Sequence, residues 1–174
     1  DSDHDDRIAP NLLDRNFDVQ TPDTAWCGDI TYVWTDVGFV YLAVVIDLAT
    51  RLVVGWCMDD HMRTDLVERA LDQALGWREP ADGMIFHSDR GSVYTSKGYR
   101  DKLDEHGILA SMSRKGDCWD NAVSESFFGT YKQEEVDCSQ WSGLLEARAA
   151  THDYIECFYN RSRLHSSLGY RTPI

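Results

Sequence analysis

Three β-like runs follow one another almost without pause: WCGDITYVW at 26–34, GFVYLAVVID at 38–47 and RLVVGWCM at 51–58. Gaps of three residues can reverse a chain but cannot return it to start a parallel neighbour, which takes a crossover of roughly a dozen residues or more. The three runs therefore predict an antiparallel meander. The most apolar stretch, Val37 to Ile46, suits a strand and is too short to cross a membrane.

The periodicity changes downstream. In TDLVERALDQALGW (64–77), Leu66, Val67, Ala70, Leu71, Ala74 and Leu75 recur at helical spacing, and Thr64 is placed to cap the start. A strand over 83–87, a helix near 96–106 and a strand over 108–112 come next, and that succession implies a parallel crossover. After the loop SRKGD (113–117), helices are expected over about 118–134 and 142–159. The fold class is thus α/β: a mixed five-stranded sheet, three strands antiparallel and two parallel, with helices on both faces. Residues 1–22, polar and holding Pro10 and Pro22, read as a linker or tail before a core at 23–174 that ends in a helix and a basic tail.

Composition narrows the setting. With 43% hydrophobic residues, the 174-residue chain can bury the core of one domain. The acidic start DSDHDDR is no signal peptide. The cysteines at 27, 57, 118, 138 and 157 are odd in number and form no C-x-x-C, which argues for a reducing, cytoplasmic setting over a disulfide framework or zinc finger. His152 and Cys157 are too isolated for a zinc site and read as packing residues. A net charge of −13 disfavours generic nucleic-acid binding. Acid clusters at Asp1–Asp6 and Asp59–Asp60 account for much of it, while Arg114–Lys115 and Arg161, Arg163 and Arg171 are local basic groups.

Three acids stand out by position. Asp29 interrupts an apolar strand, where an unpaired charge is costly to bury. Asp89, in HSDRGSVY, ends the fourth strand, a place where open α/β sheets often hold their chemistry; a plain ion pair with Arg90 is the other reading. Glu125 lies in the helix after SRKGD. Between Asp29 and Asp89 stand 59 residues, and between Asp89 and Glu125 stand 35.

With these acids in the contexts GDITYVW, GFVYLAVVIDLATRLVVGW, HSDRGSVY, SMSRKGDCWDNAVSESFFGTYKQE and YIECFYNRSRLHSSLGYRTPI, the sequence over about 25–174 resembles the DDE catalytic core shared by retroviral integrases and the OrfB-type transposases of bacterial insertion sequences. The resemblance implies a ribonuclease-H-like fold. It implies cleavage of insertion-sequence ends and strand transfer, by in-line attack of water or a 3′-hydroxyl on phosphodiesters. It implies two magnesium ions, with manganese as a substitute, held by Asp29, Asp89 and Glu125. Transposon-end and target DNA, a homo-oligomer and a bacterial cytoplasm are the matching partners and location. Residues 1–18 are similar only to the linker that follows the family's helix-turn-helix region, so a core fragment is expected, with that region or a companion protein supplied separately. Gly28 and Val93 depart from the threonine and glutamine common in the family.

In-line displacement at phosphorus builds charge on the attacking and leaving oxygens, and paired cations stabilise both. Hard oxygen ligands suit magnesium. Asp29, on a rigid first strand, is expected to bridge the ions, with Asp89 on one and Glu125 on the other. Arg90 is expected to balance or orient Asp89 and is also a candidate DNA contact. Asn121 and Lys132 lie four before and seven after Glu125, so they share its helix face as candidate DNA contacts while Phe127 and Tyr131 turn to the core. The alternatives are a helix cap for Asn121 and a solvated lysine. Arg114 and Lys115 suit phosphate contact, or a solvated loop. Arg161 and Arg163 can track a DNA backbone, or fold over the last helix. His87 is a donor to phosphate or carboxylate, or a packed strand end; Asp47 supports the site or caps a turn; Trp26, Trp34, Trp56 and Trp119 read as core or sheet packing. The competing functions are a ribonuclease-H-like nuclease that stops at hydrolysis and an inactive DNA-associated interaction domain. A two-carboxylate glycosidase fits the spacing least.

Overall fold

Residues 8–174 are described by a computed structural model, without the side chains of Cys118 and Trp119. The acidic stretch Asp1–Asp6 and the packing expected of Trp119 lie outside the described residues. The meander forms as read: β1 (Ala25–Thr35), β2 (Gly38–Asp47) and β3 (Val53–Asp59) pair antiparallel. Helix α1 (Thr64–Leu75) carries the chain to β4 (Ile85–Ser88), parallel to β1. The single turn α2 (Ser92–Thr95) and α3 (Lys97–Glu105) lead to β5 (Leu109–Met112), parallel to β4. The sheet order is β3-β2-β1-β4-β5, with β1 at the centre. No described helix is long and apolar enough to cross a membrane.

The pleat of β2 explains why both faces are covered. Leu42, Val44 and Ile46 point to one side, where they meet Phe127 and Tyr131 of α4 (Ala122–Tyr131) and Ala147 of α5 (Leu144–His152). Ala43 and Val45 point to the other, against Leu66, Val67 and Leu71 of α1 and Leu103 of α3. Each fully buried aliphatic or aromatic side chain stabilises the fold by about 1.5–3 kcal/mol. α1 lies so close to the sheet that a Cβ on Gly55 would fall 2.1 Å from the Ala70 carbonyl oxygen.

Several local expectations change. Arg63, not Thr64, holds the N-cap position of α1, and no side chain caps that helix. Ser96 does cap α3, its hydroxyl accepting the Tyr99 N–H at 3.3 Å. The expected helix 118–134 is a 3-10 turn (Cys118–Asn121), then α4, then a π turn (Lys132–Val136). The expected helix 142–159 begins at Leu144, and α5 widens into a π turn (Asp153–Tyr159) that buries Tyr154, Ile155 and Tyr159 together. Trp26 and Trp56 are buried, but Trp34 is 65% exposed at the hairpin end, stacked on Phe39. Residues 8–22 hold no helix or strand, yet Leu13 is only 4% exposed within the core.

One consequence of register positions the chemistry. β4 pairs with β1 only from Ala25 to Cys27, so β1 runs on past the end of its parallel neighbour. Asp29 stands just beyond that point, opposite Val44 of β2.

Candidate active site

Asp29 is half-buried on β1. Its Oδ1 accepts the Ile30 N–H at 2.8 Å and its Oδ2 accepts the Ser124 hydroxyl of α4 at 3.1 Å. Burial is the main force pushing this carboxyl up to about 6; the Ile30 N–H opposes it, and the charges of Asp89 and Glu125 add to it. Those two charges act on Asp29 from the turn after β4 and from α4.

Asp89 follows directly on β4. Its Oδ1 accepts the Gly91 N–H at 2.7 Å, and a Cβ on Gly91 would lie 2.8 Å from that oxygen, so glycine lets the turn wrap the carboxylate. Arg90 does not pair with Asp89. Its Nε donates to the Ser113 carbonyl at 2.8 Å, which ties the end of β4 to the loop after β5. Asp89, Arg90, Ser113, Arg114, Lys115 and Asn121 line one open groove. Asn121 occupies the N-cap position of α4 without a capping bond, and its Nδ2 lies 3.5 Å from the Ser113 hydroxyl.

Glu125 is exposed on the first turn of α4. None of the three acids forms an ion pair with a described residue. Their ligand oxygens do not all lie within 4.8 Å of one another; among the described residues only Asp59, Asp60 and His61 do. Asp59 is committed to Arg69 at 2.6 Å, and that bond holds its carboxyl down at about 2.

The remaining expectations divide. Phe127 and Tyr131 are buried beneath α4 as read. Lys132 lies over the Tyr32 ring, 5.4 Å from its centroid. Arg114 pairs with Asp14 and lies 3.6 Å from Asp120, whereas Lys115 is exposed and makes no ion pair with a described residue. Arg163 is held by Glu134 at 2.9 Å, and Arg161 donates to the Glu156 carbonyl at 3.0 Å, so both are turned to the chain itself. His87 is packed: its Nδ1 meets the Ser111 hydroxyl at 2.8 Å, and burial lowers its pKa. Asp47 caps the turn after β2, accepting the Ala49 N–H at 2.9 Å. Ser124 and Asp120 escaped the sequence reading, because nothing in VSESFF or DCWDNA marks which polar side chain turns inward.

Two models, each described as integrase core domain, match residues 19–118 and 106–173. The chain belongs to the integrase core family. This integrase core is 43% identical over 164 residues to the transposase for insertion sequence element IS904 of Lactococcus lactis, covering 94% of the chain and 65% of the relative. It is 44% identical over 166 residues to transposase InsF for insertion sequence IS3A of Escherichia coli, covering 95% and 58%. The chain thus spans about three fifths of the length of the curated relatives it matches. Among solved structures, the HTLV-2 integrase catalytic core domain in complex with magnesium aligns at TM-score 0.67 and 17% identity, over 87% of this chain and 94% of that one. A simian T-cell lymphotropic virus intasome in complex with a PP2A regulatory subunit aligns at 0.70 and 16%, over 95% and 55%. These likenesses speak for the fold, which is ribonuclease-H-like.

Proposed function

We propose that this integrase core is the catalytic domain of a bacterial insertion-sequence transposase, cleaving DNA at the element's ends and joining the 3′-hydroxyl so produced to target DNA. The observation that carries the reading is the setting of Asp29: a half-buried carboxylate, bonded by Ser124 from the Glu125 helix, under the repulsion of Asp89 and Glu125. Three oxygen-donor acids near one another without a basic partner fit hard divalent cations such as magnesium or manganese. Asp29, Asp89 and Glu125 are the residues that would hold such cations. Bound cations supply stabilisation of the charge that grows on the phosphate oxygens.

The protein's own groups do the placing. Ser124 and the Ile30 N–H fix the Asp29 carboxylate, and the Gly91 N–H fixes that of Asp89. Arg90, spent on Ser113, holds the groove wall rather than the substrate. Lys115 and Asn121, both on the groove, are the residues we assign to the DNA backbone, ahead of Arg114, Lys132, Arg161 and Arg163, which have partners within the chain. Recognition of the ends belongs to a companion helix-turn-helix region, the active form is a homo-oligomer, and the site of action is the bacterial cytoplasm.

The test is joining of a labelled oligonucleotide with a free 3′-hydroxyl to supercoiled plasmid in magnesium or manganese. Joining that falls to background in Asp29→Asn, Asp89→Asn and Glu125→Gln supports the reading. Hydrolysis without joining would favour the nuclease; activity surviving any of the three substitutions would defeat the assignment.

A further inference from the structure

Asp120 is a charged group almost sealed from water, 1% exposed, on the 3-10 turn that opens into α4. Its Oδ2 accepts the Arg114 N–H at 2.7 Å and Asn11 Nδ2 at 3.2 Å, and its Oδ1 accepts Arg15 Nε at 2.9 Å. Arg15 also reaches Asp117, and Arg114 reaches Asp14. A buried carboxylate satisfied this way fixes every donor around it, because removing one leaves a charge short of partners in a dry site. Two of those donors come from residues about a hundred positions earlier in the chain.

The same N-terminal segment is tied to β5 and, through Ser111, to β4. The Ser111 hydroxyl oxygen accepts the N–H groups of Leu12 at 2.9 Å and Leu13 at 3.1 Å. Its one hydrogen is left for His87 Nδ1, at 2.8 Å, which assigns the proton of the neutral imidazole to Nε2. The Pro10 carbonyl accepts the Met112 N–H at 3.2 Å. His87 stands two residues before Asp89, and Asp120 five before Glu125. One short stretch therefore grips the helix approach of one acid directly and, through Ser111 of β5, the strand of another.

We propose that residues 9–15 are a strut of the active site, and that Arg15 and Asp120 are positioning residues that set the Glu125 helix against the Asp89 strand. The proposal rests on the strand-transfer reading for its kinetic and cation-binding consequences. Losing Arg15 frees the 113–121 loop to shift, and displacements of about 1 Å at a reacting centre can cost about a hundredfold in rate.

The experiment compares the full chain with Arg15→Ala and Arg15→Lys, the second keeping the charge but not the planar fork. Melting temperatures establish the folded fraction at the assay temperature. Hydrogen exchange over residues 113–125, manganese titration followed by electron paramagnetic resonance, and oligonucleotide joining are then measured. Arg15→Ala is expected to speed exchange of that stretch, to raise the manganese concentration for half-saturation, and to lower turnover about tenfold or more with KM for DNA unchanged; Arg15→Lys recovers part of each. Unchanged exchange and manganese binding, a loss of turnover no larger than the unfolded fraction, or a rise in KM alone would overturn the strut. If the parent itself joins no DNA, the strand-transfer reading fails, and the exchange arm still decides the structural half.

Discussion

At Asp29 the backbone and the chemistry pull in opposite directions. A strand interior wants the carboxyl neutral, and burial with two acid neighbours pushes its pKa up to about 6. In the metal-free protein the folded state keeps a proton there that the unfolded chain has already released above about pH 4. The stability contributed by that proton is present at low pH and lost as pH rises through 6, on the order of 3 kcal/mol for this group. Asp29→Asn should therefore melt above the parent near neutral pH without divalent cations, by roughly 5–10 °C in a chain of this size. The gap should shrink towards nothing near pH 4; matching melting curves at neutral pH would refute the buried-charge account. Its neighbour Gly28 is constrained by packing: a Cβ there would fall 2.5 Å from Phe86 Cζ, in a ring buried against Tyr94 and Tyr99. Gly28→Ala should cost about 1–3 kcal/mol in urea denaturation, and Phe86→Leu should relieve part of that in a double-mutant cycle.

Among the elements, strands and helices differ in how much of them could be read locally. The limits of β2 agree with the run 38–47 to the residue: Asp47 ends the apolar stretch, and the turn at Asp36 and Val37 precedes Gly38. The helices held their places but not their inner geometry. Apolar spacing cannot tell a bond to the fourth residue from one to the fifth, so the π turns at Lys132–Val136 and Asp153–Tyr159 passed as ordinary helix. The cap of α1 went to Arg63 for a related reason: where the first helical dihedral falls is decided by how α1 seats on β3, not by which residue owns a hydroxyl. That seat is tight. Gly55→Ala would drive a methyl into the Ala70 carbonyl, a backbone atom that cannot rotate away. Lifting α1 should cost about 1–3 kcal/mol, seen as an equal loss in chemical and thermal unfolding while the isolated site residues keep their order.

For the whole molecule, binding of cations and folding are linked. A ligand that binds only the folded state at about a hundred times its Kd stabilises by about 2.7 kcal/mol. Manganese should raise the melting temperature near neutral pH, with the gain abolished in Asp29→Asn. It should fade below about pH 6, where a proton competes for the same carboxylate. A manganese effect of equal size near pH 5 and in Asp29→Asn would place binding elsewhere, the Asp59–Asp60–His61 group being the one cluster among the described residues whose ligand atoms lie within 4.8 Å of one another.

The meander and the parallel crossover were both present in the linear order, since repeat periods and link lengths are local quantities that act over a few residues. Tertiary structure alone decided which charges meet. It brought Asp89 and Glu125 to bear on Asp29, turned Arg90 away to Ser113, engaged Arg163 with Glu134, and laid residues 9–15 against β5 and the 3-10 turn before α4. Contacts such as Arg15 with Asp120 depend on how the intervening chain closes and which way each side chain points, and no spacing along the sequence encodes either.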